Sequence, residues 1–237
     1  NGEGNAVYQS LDRIPVDQLA FSPDGGHLAA SAWNRIVVLD TETWKSTRLD
    51  RPKCRGICWS SDGKLVATIG EGAGVDLFDI TGKLVRTIEA DRIQNYNYGG
   101  LEFSPDDRWL AWSVEQRVNV VELKTGRRQT FDLHRNRVAD LEWTGPEQLV
   151  SAGEDGLLAA WNPTSGNCLW TAVFMHRQQD QTQSVTLAPS GAIRHTDAGA
   201  ADRLVYLLER QPGQLQVQSR AEFLKEFPQA SPLESGN

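Results

Sequence analysis

Three side chains, His134, Ser151 and Asp155, are of the types that form the nucleophilic triad of many hydrolases. A catalytic serine must be open to substrate, with the histidine and the carboxylate in support. Ser151 instead lies within residues 148–152, an apolar stretch typical of a buried strand. The order of the three residues along the chain and this buried position favour a structural role over catalysis.

Other patterns that could bind a metal or a phosphate are weak. No HExxH or paired spacing connects the histidines, which are His27, His134, His176 and His195. Residues 70–74 are glycine-rich but lack the Lys-Ser/Thr of a phosphate loop, so they predict a hairpin turn. Cys54, Cys58 and Cys168 lack metal-ligand spacing, and we expect buried thiols in a reducing compartment. We therefore predict no metal site and no cofactor.

Turn-type segments recur along the chain with a nearly constant period. Their second residues are 22, 60, 104, 144 and 188, in FSPDG, WSSDG, FSPDD, WTGPE and LAPSG. A second anchor follows each one, with key positions 39, 78, 121, 161 and 206. Two independent anchors that share a period of about 42 residues predict a repeat architecture.

Each repeat has the pattern of four short strands. Apolar residues two apart precede the first anchor, as in Leu19 and Phe21 or Ile57 and Trp59, and this is the period of a half-buried strand. The anchor has the residue types of a tight turn, because proline presets φ, aspartate or serine caps the turn and glycine accepts positive φ. Four strands per repeat predict an all-β fold, a β-propeller of four-stranded antiparallel blades in which each sheet covers its neighbour.

The sequence resembles the WD-repeat family over roughly residues 5–213. Blade 4 carries the motif most fully, with His134 before its first strand, Ser151, Asp155 and Trp161. The resemblance implies that these four side chains form a hydrogen-bonded tetrad that holds a turn to the sheet. The other blades have Leu39, Phe78, Val121 and Tyr206 where the family has tryptophan, and we expect a weaker network there.

We expect one propeller domain over residues 1–218, with about five blades near 16–50, 54–89, 98–133, 138–174 and 183–218. Residues 5–11 are expected to be the outer strand of a preceding blade. The chain starts at Asn1, so we expect a fragment or processed product of a protein with more blades, a ring of seven. In residues 219–237, Ser219 and Glu222 have the spacing of a capping box and predict the start of a short helix. A disordered tail is expected after this helix.

Composition excludes some classes of partner. The net charge is −7 and the pI is about 5.2, so we predict no nucleic-acid binding, which depends on clustered Lys and Arg. No run approaches the roughly 18 apolar residues of a membrane helix, and we predict no membrane association and a cytoplasmic location.

Catalysis in a propeller needs carboxylates or metal ligands that converge on the central channel. The predicted starts of the inner strands carry Asp17, Arg55, Gly99 and Asp140, which form no consistent set. We therefore predict a non-catalytic scaffold that binds a protein or peptide on one rim. The repeats also resemble the divergent propellers in which bacterial multidomain signalling proteins often end, and this resemblance implies that the chain is the C-terminal part of a larger signalling protein. The alternatives are a hydrolase or lactonase with a channel metal, and a sensor of a small molecule.

Binding hot spots are rich in tyrosine and arginine. Loops between the predicted blades carry these residue types on one rim. The protein-binding candidates are Arg13, Arg55, Tyr96, Tyr98 and Arg137.

Overall fold

The computed structural model describes much of the 237-residue chain. The described residues are 16, 18–32, 35–49, 54–70, 74–89, 99–177, 181–189, 193–196, 205–211, 214–219 and 225. The chain divides into two compact units, Asn1–Tyr96 and Asn97–Asn237.

The first unit contains two four-stranded antiparallel sheets, each with its strands in sequence order. Blade 1 consists of β1 (Gln18–Phe21), β2 (His27–Ala32), β3 (Arg35–Asp40) and β4 (Ser46–Leu49). Blade 2 consists of β5 (Cys54–Trp59), β6 (Leu65–Gly70), β7 (Val75–Asp79) and β8 (Leu84–Ile88).

The second unit begins with a third sheet of the same kind and continues with a longer one. Blade 3 consists of β9 (Leu101–Phe103), β10 (Trp109–Val114), β11 (Arg117–Glu122) and β12 (Arg128–Phe131). Blade 4 consists of β13 (Val138–Gly145), β14 (Gln148–Gly153), β15 (Leu157–Trp161) and β16 (Cys168–Arg177). The remaining strands are β17 (Gln181–Leu187), β18 (Ile193–Thr196), β19 (Val205–Gln211) and β20 (Gln214–Ser219).

The turn between the first two strands is built in the same way in blades 1, 2 and 3. In blade 3 the Ser104 hydroxyl donates to Asp106 Oδ1 at 2.6 Å and accepts from Trp109 N at 2.8 Å. Ser22 with Asp24 and Ser60 with Asp62 repeat this geometry, at 2.6 and 2.8 Å. The serine and aspartate of the sequence motif thus hold the hairpin together, as their side-chain chemistry predicts.

Apolar residues on facing sheets form the cores. We call the side of a blade that carries the apolar residues of its first strand the leading face, and the opposite side the trailing face. The trailing face of blade 1, with Ile36 and Val38, packs on the leading face of blade 2, with Ile57 and Trp59. In the second unit the trailing face of blade 3 packs on the leading face of blade 4 in the same way. Burying one such side chain stabilises the fold by roughly 1.5–3 kcal/mol.

The segment predicted as blade 5, residues 183–218, does not form one four-stranded sheet. β17 pairs with β16, and β18 pairs with β17, so these strands extend the blade 4 sheet to six. β19 and β20 form a separate two-stranded sheet. β16 has ten residues where the outer strands of blades 1 to 3 have four or five. Only residues 178–180 separate it from β17, and a connection this short favours a hairpin between neighbours.

Two further predictions fall mostly or wholly outside the described residues. The predicted outer strand at 5–11 is outside them, and so is the predicted helix after Ser219 except for Lys225, which is helical. All three cysteines are free thiols; Cys54 and Cys58 are buried and Cys168 is partly exposed.

Candidate functional site

Four side chains of blade 4 form a continuous chain of hydrogen bonds. The Trp161 indole donates to Ser151 Oγ at 2.9 Å, and Ser151 Oγ lies 2.8 Å from His134 Nε2. His134 Nδ1 lies 3.2 Å from both carboxylate oxygens of Asp155. Since the carboxylate can only accept, Nδ1 carries a proton. In the neutral imidazole Nε2 then accepts from the serine, and every donor in the chain has an acceptor.

The carboxylate of Asp155 also accepts hydrogen bonds from two backbone N–H groups, one directly after His134 and one at the start of β15. Arg135 N donates to Oδ2 at 2.7 Å and Leu157 N donates to Oδ1 at 3.1 Å. Burial by itself would raise the pKa of Asp155, but these bonds and the one from His134 outweigh it and hold the pKa below its usual value. The aspartate is therefore ionised at neutral pH and acts as a permanent acceptor.

Gly153 makes room for this arrangement. A Cβ at this position would collide with Asp155 Oδ1 and with His134 Nδ1. The sequence Ser-Ala-Gly-Glu-Asp therefore combines the hydroxyl, the space and the carboxylate that the histidine needs.

The buried position of the triad-like residues prevents the nucleophilic chemistry that their types allow. Ser151 and His134 are both buried, and Ser151 Oγ lies within 3.3 Å of Ala159 O as well as beside the Trp161 indole. A substrate has no approach to this oxygen. The arrangement therefore serves to fix the chain entering β13 against the β14–β15 turn.

The segments that the tetrad fixes form a polar surface, which we call the blade 4 rim: residues 135–137 and 154–156. Arg135, Asn136 and Glu154 are exposed. Arg137 forms an ion pair with Glu154, with Nη2 and Nε at 2.6 and 3.0 Å from Oε1. Glu154 N also donates to Arg137 O at 2.8 Å, so the two segments are joined by backbone as well as side chains.

Only part of the predicted binding set can be placed. Arg137 lies on the blade 4 rim. Arg55 lies in β5, but its side chain is outside what the structure describes, and Arg13, Tyr96 and Tyr98 are wholly outside the described residues. Arg135, which sequence reasoning missed, is the exposed arginine beside His134, and its position directly after the tetrad histidine was the available signal.

Sequence reasoning also missed a carboxyl between blades 3 and 4. Glu102 in β9 pairs across the sheet with Ala111 and therefore lies on the trailing face of blade 3. Trp143 of blade 4 packs on this face, and its indole donates to Glu102 O at 3.3 Å. Burial, followed by repulsion from Glu142 and Asp140, raises the pKa of Glu102 to about 7. A glutamate at the trailing-face position where blade 1 has Ala20 was the signal in the sequence.

The predicted inner-strand residues give no catalytic set within the described part of the chain. Asp140 is exposed, and Asp17 lies outside the described residues. No three His, Cys, Asp or Glu side chains that the structure describes are arranged to hold a metal ion. Among the same residues, no helix has the length and apolar character that a membrane crossing requires.

Four-stranded antiparallel sheets that pack face to face in sequence order are the blades of a β-propeller, and two comparisons agree. The chain is 26% identical over 187 residues to an uncharacterised WD repeat-containing protein, sll1491, of Synechocystis sp.. That alignment covers 76% of this chain and 52% of the relative, so the chain spans about half the length of the curated relative that it matches.

Among solved structures the chain is similar to U3-55K, a WD40 propeller protein, with a TM-score of 0.59 and 18% identity. The match covers 86% of this chain and 69% of U3-55K. It shows the fold. No protein-family model matches the sequence.

Proposed function

We propose that this chain is a non-catalytic scaffold that binds a protein or peptide on the blade 4 rim. WD-repeat propellers in general serve as protein-interaction scaffolds. The observation that carries the proposal is the buried tetrad, because it uses the residues most suited to catalysis to fix a surface that displays two arginines. A surface held rigid before binding loses little conformational entropy when a partner docks.

The rim has the composition of a recognition surface. Arg135 and Arg137 belong to a residue type enriched at binding hot spots, and Asn136 adds hydrogen-bonding groups. The Arg137–Glu154 ion pair orients one guanidinium, while the Arg135 side chain projects into solvent as an exposed residue. A partner can therefore meet one oriented cation and one adaptable cation within three residues.

The scaffold is further proposed to belong to a larger, cytoplasmic signalling protein. The relative of which this chain spans about half supports additional domains or blades. The three free thiols support a reducing compartment, where disulfides are rare.

Affinity capture with a charge-reversed rim tests the function. Wild-type protein and the double variant Arg135→Glu/Arg137→Glu are used to capture partners from a lysate of the source organism. The control is Lys124→Glu, because Lys124 is also an exposed cation but lies in the β11–β12 turn, away from the blade 4 rim. We expect one protein to be captured by wild type and by the control but at least tenfold less by the double variant, a loss of about 1.4 kcal/mol or more.

The circular dichroism of the variants must match wild type, so that a lost partner is not a lost fold. Equal capture by all three proteins would remove the blade 4 rim from the binding surface. Capture of no protein by the wild type would contradict the scaffold function itself.

A further inference from the structure

The outer strand of blade 4 extends past the strand beside it. In blades 1 to 3 the last residue of the outer strand pairs with the first or second residue of the neighbouring strand. In blade 4 the pairing of β15 with β16 ends at Leu157 and Val173, and β16 continues to Arg177. Residues 174–177 therefore project beyond the strands β13 to β15.

The projecting part of β16 belongs to a two-stranded ribbon with one edge on the side of β15. β17 pairs with all of residues 174–177 and so covers their other edge. Phe174 N donates to Gly156 O at 2.9 Å, and its N–H therefore faces the side of β15. Because backbone groups alternate between the two edges of a strand, the N–H and C=O of His176 face that side as well. No strand that the structure describes pairs with His176 there, and we call this side of residues 174–177 the ribbon edge.

The ribbon edge adjoins the blade 4 rim directly. Gly156, which accepts the bond from Phe174 N, is a rim residue with a φ of 76°. A Cβ at Gly156 would lie 3.1 Å from Phe174 O, so a side chain there would crowd the start of the ribbon edge. Next to Gly156, Asp155 accepts from the N–H of Arg135, whose own side chain is exposed. An exposed cation therefore lies close to the corner where the ribbon leaves the rim.

A strand edge without a neighbour is a template for pairing with another strand. The other side of β16 shows such pairing within this chain, since β17 and β18 extend the blade 4 sheet from four strands to six. At about 3.3 Å per residue, the ribbon edge has a length of about 13 Å, which suits a short extended peptide.

Phe174 and Arg135 define the side chains that such a peptide should carry. Thr171 pairs with Ala159 on the leading face, so Phe174, at an odd spacing from Thr171, points to the trailing face, where it is 45% exposed. A peptide residue opposite His176 would lie diagonally across from Phe174 on the same face, within reach of its ring. The end of the peptide nearest Phe174 would meet the rim, where a carboxylate can pair with Arg135.

We infer that the ribbon edge binds an extended segment of a partner protein as an added strand, with an apolar side chain against Phe174 and an acidic side chain against Arg135. The inference rests on the proposed function, because it assigns a class of partner to the blade 4 rim. The ribbon backbone supplies the hydrogen bonds that hold the segment extended, and the two side-chain contacts fix its register. The guanidinium of Arg135 is complementary to a carboxylate in charge and in hydrogen-bonding geometry.

Two proline variants separate the two edges of the ribbon. His176→Pro removes an N–H from the ribbon edge, and the matched control Thr182→Pro removes one from the outer edge of β17 at the paired position. Neither N–H takes part in the β16–β17 ladder, because the alternation makes this a pair without hydrogen bonds. Proline is tolerated where the N–H of an edge strand faces outward.

The probes are peptides selected on the 237-residue chain from a random phage-displayed library, and fluorescence anisotropy gives their Kd for each protein. We expect the selected peptides to share an apolar and an acidic residue. His176→Pro should raise the Kd at least about tenfold, whereas Thr182→Pro should change it by less than about twofold. Equal weakening by the two prolines, an unchanged Kd in His176→Pro, or selection of no peptide would overturn the ribbon edge as a binding site.

Methylation of the peptide backbone gives a second measurement that needs no protein variant. An added strand uses the N–H groups of alternate residues, so N-methylation at every second residue should raise the Kd at least about tenfold, with little effect at the residues between. Uniform sensitivity along the peptide would overturn the added strand, even if a proline variant failed to fold.

Phe174→Ser and Arg135→Gln test the two side-chain contacts. Each should raise the Kd of the selected peptides by about fivefold, and an unchanged Kd would overturn the contact concerned. Dimerisation of the wild type that His176→Pro abolishes would assign the ribbon edge to a second copy and overturn the partner segment. The proposed function is judged separately by capture with the charge-reversed rim, because that variant leaves the ribbon backbone unchanged.

Discussion

Blade 3 and blade 4 hold the segment that enters their first strand with different side chains. In blade 4 the carboxylate of Asp155 accepts from Arg135 N and the His134 ring, and Ser151 and Trp161 complete the chain. In blade 3 a single hydroxyl does this: Ser113 Oγ accepts from Gly99 N at 2.9 Å and from Gly100 N at 3.1 Å. It also lies 3.4 Å from Val138 O in the next blade.

Two of the four positions that carry the tetrad in blade 4 are apolar in blade 3. By strand register Trp112 stands where blade 4 has Ser151, and Val121 stands where it has Trp161. Both blade 3 residues are buried, and the indole N–H of Trp112 has no hydrogen-bond partner among the described residues. Gly99 and Gly100 are required here, since a Cβ on either would collide with Ser113 or Leu141.

A blade therefore needs an anchor for the chain that enters its first strand, but the anchor can be built from different side chains. A long polar network tolerates a non-glycine entry segment, whereas a single serine requires the backbone to approach closely.

The largest effect is expected at Trp161. Its ring is buried and stacks on Phe131 with ring centroids 4.6 Å apart. Trp161→Ala should lower the free energy of unfolding by about 4 kcal/mol, because it leaves a large cavity, and Trp161→Phe by about 1 kcal/mol, because it removes mainly the indole hydrogen bond. Urea denaturation followed by circular dichroism measures both; equal losses would show that the network rather than packing dominates blade 4.

The serine anchors come next. Ser151→Ala leaves the Trp161 indole N–H and His134 Nε2 without a partner in a buried site, and we expect a loss of about 3 kcal/mol. Ser113→Ala leaves two backbone N–H groups unpaired and should cost about 2 kcal/mol. Hydrogen exchange at Gly99 and Gly100 should accelerate in Ser113→Ala only. Acceleration there in Ser151→Ala as well would mean that the two anchors are not independent.

Glu102 in blade 3 and Glu142 in blade 4 occupy equivalent positions in the first strand, but Glu102 is less exposed than Glu142. The pKa of Glu102 is raised to about 7 from an ordinary value of 4.5, so the folded state binds its proton more tightly than the unfolded state. The resulting stability is complete below about pH 4.5 and is lost as the pH rises to about 7. Glu102→Gln should therefore be more stable than wild type at pH 8, by about 2 kcal/mol after allowance for partial exposure, and equal to it at pH 4.

Glu142 is the matched control for Glu102, because it has the same place in blade 4 and is exposed. Glu142→Gln should give a smaller gain at pH 8, since it removes only repulsion from Glu102. Urea midpoints between pH 4 and pH 9 measure both variants. A larger gain for Glu142→Gln would contradict burial as the main cause of the raised pKa.

The smallest effect concerns the first turn of the blades. In blade 2 hydrogen bonds lower the pKa of Asp62 to about 2. The largest cause is the hydrogen bond from the Lys64 side chain, followed by those from Lys64 N and the Ser60 side chain. Its contribution is present above the ordinary pKa near 3.8 and is lost as the pH falls through about 2. Because the side chain is 46% exposed, Asp62→Asn should cost well under 1 kcal/mol. Carboxyl NMR titration of Asp62 measures the pKa, and an ordinary value would contradict the hydrogen-bonded turn.

Much of blade 4 follows from spacing in the sequence, and less of blade 3 does. The tetrad residues were predicted because the resemblance to the WD-repeat family implied a hydrogen-bonding role for each of them at its place in the repeat. Ser113 carried no such signal, since a serine near the end of an apolar strand is common and its role depends on how closely Gly99 and Gly100 approach. The trailing-face position of Glu102 could be inferred from the sequence, but its raised pKa could not, because it depends on packing against blade 4, where Trp143 lies 41 positions further along the chain.

The strands, the turns between them and the blade period follow from the amino-acid sequence alone. These features depend on local chemistry: alternation of apolar side chains, the Ser–Asp turn, and glycine at positive φ. Packing between sheets, in contrast, places β17 at the edge of blade 4, leaves Glu102 only partly exposed and leaves Leu19 and Phe21 uncovered. The physical reason is that burial and edge pairing belong to two sheets at once, and a repeat pattern describes only one sheet at a time.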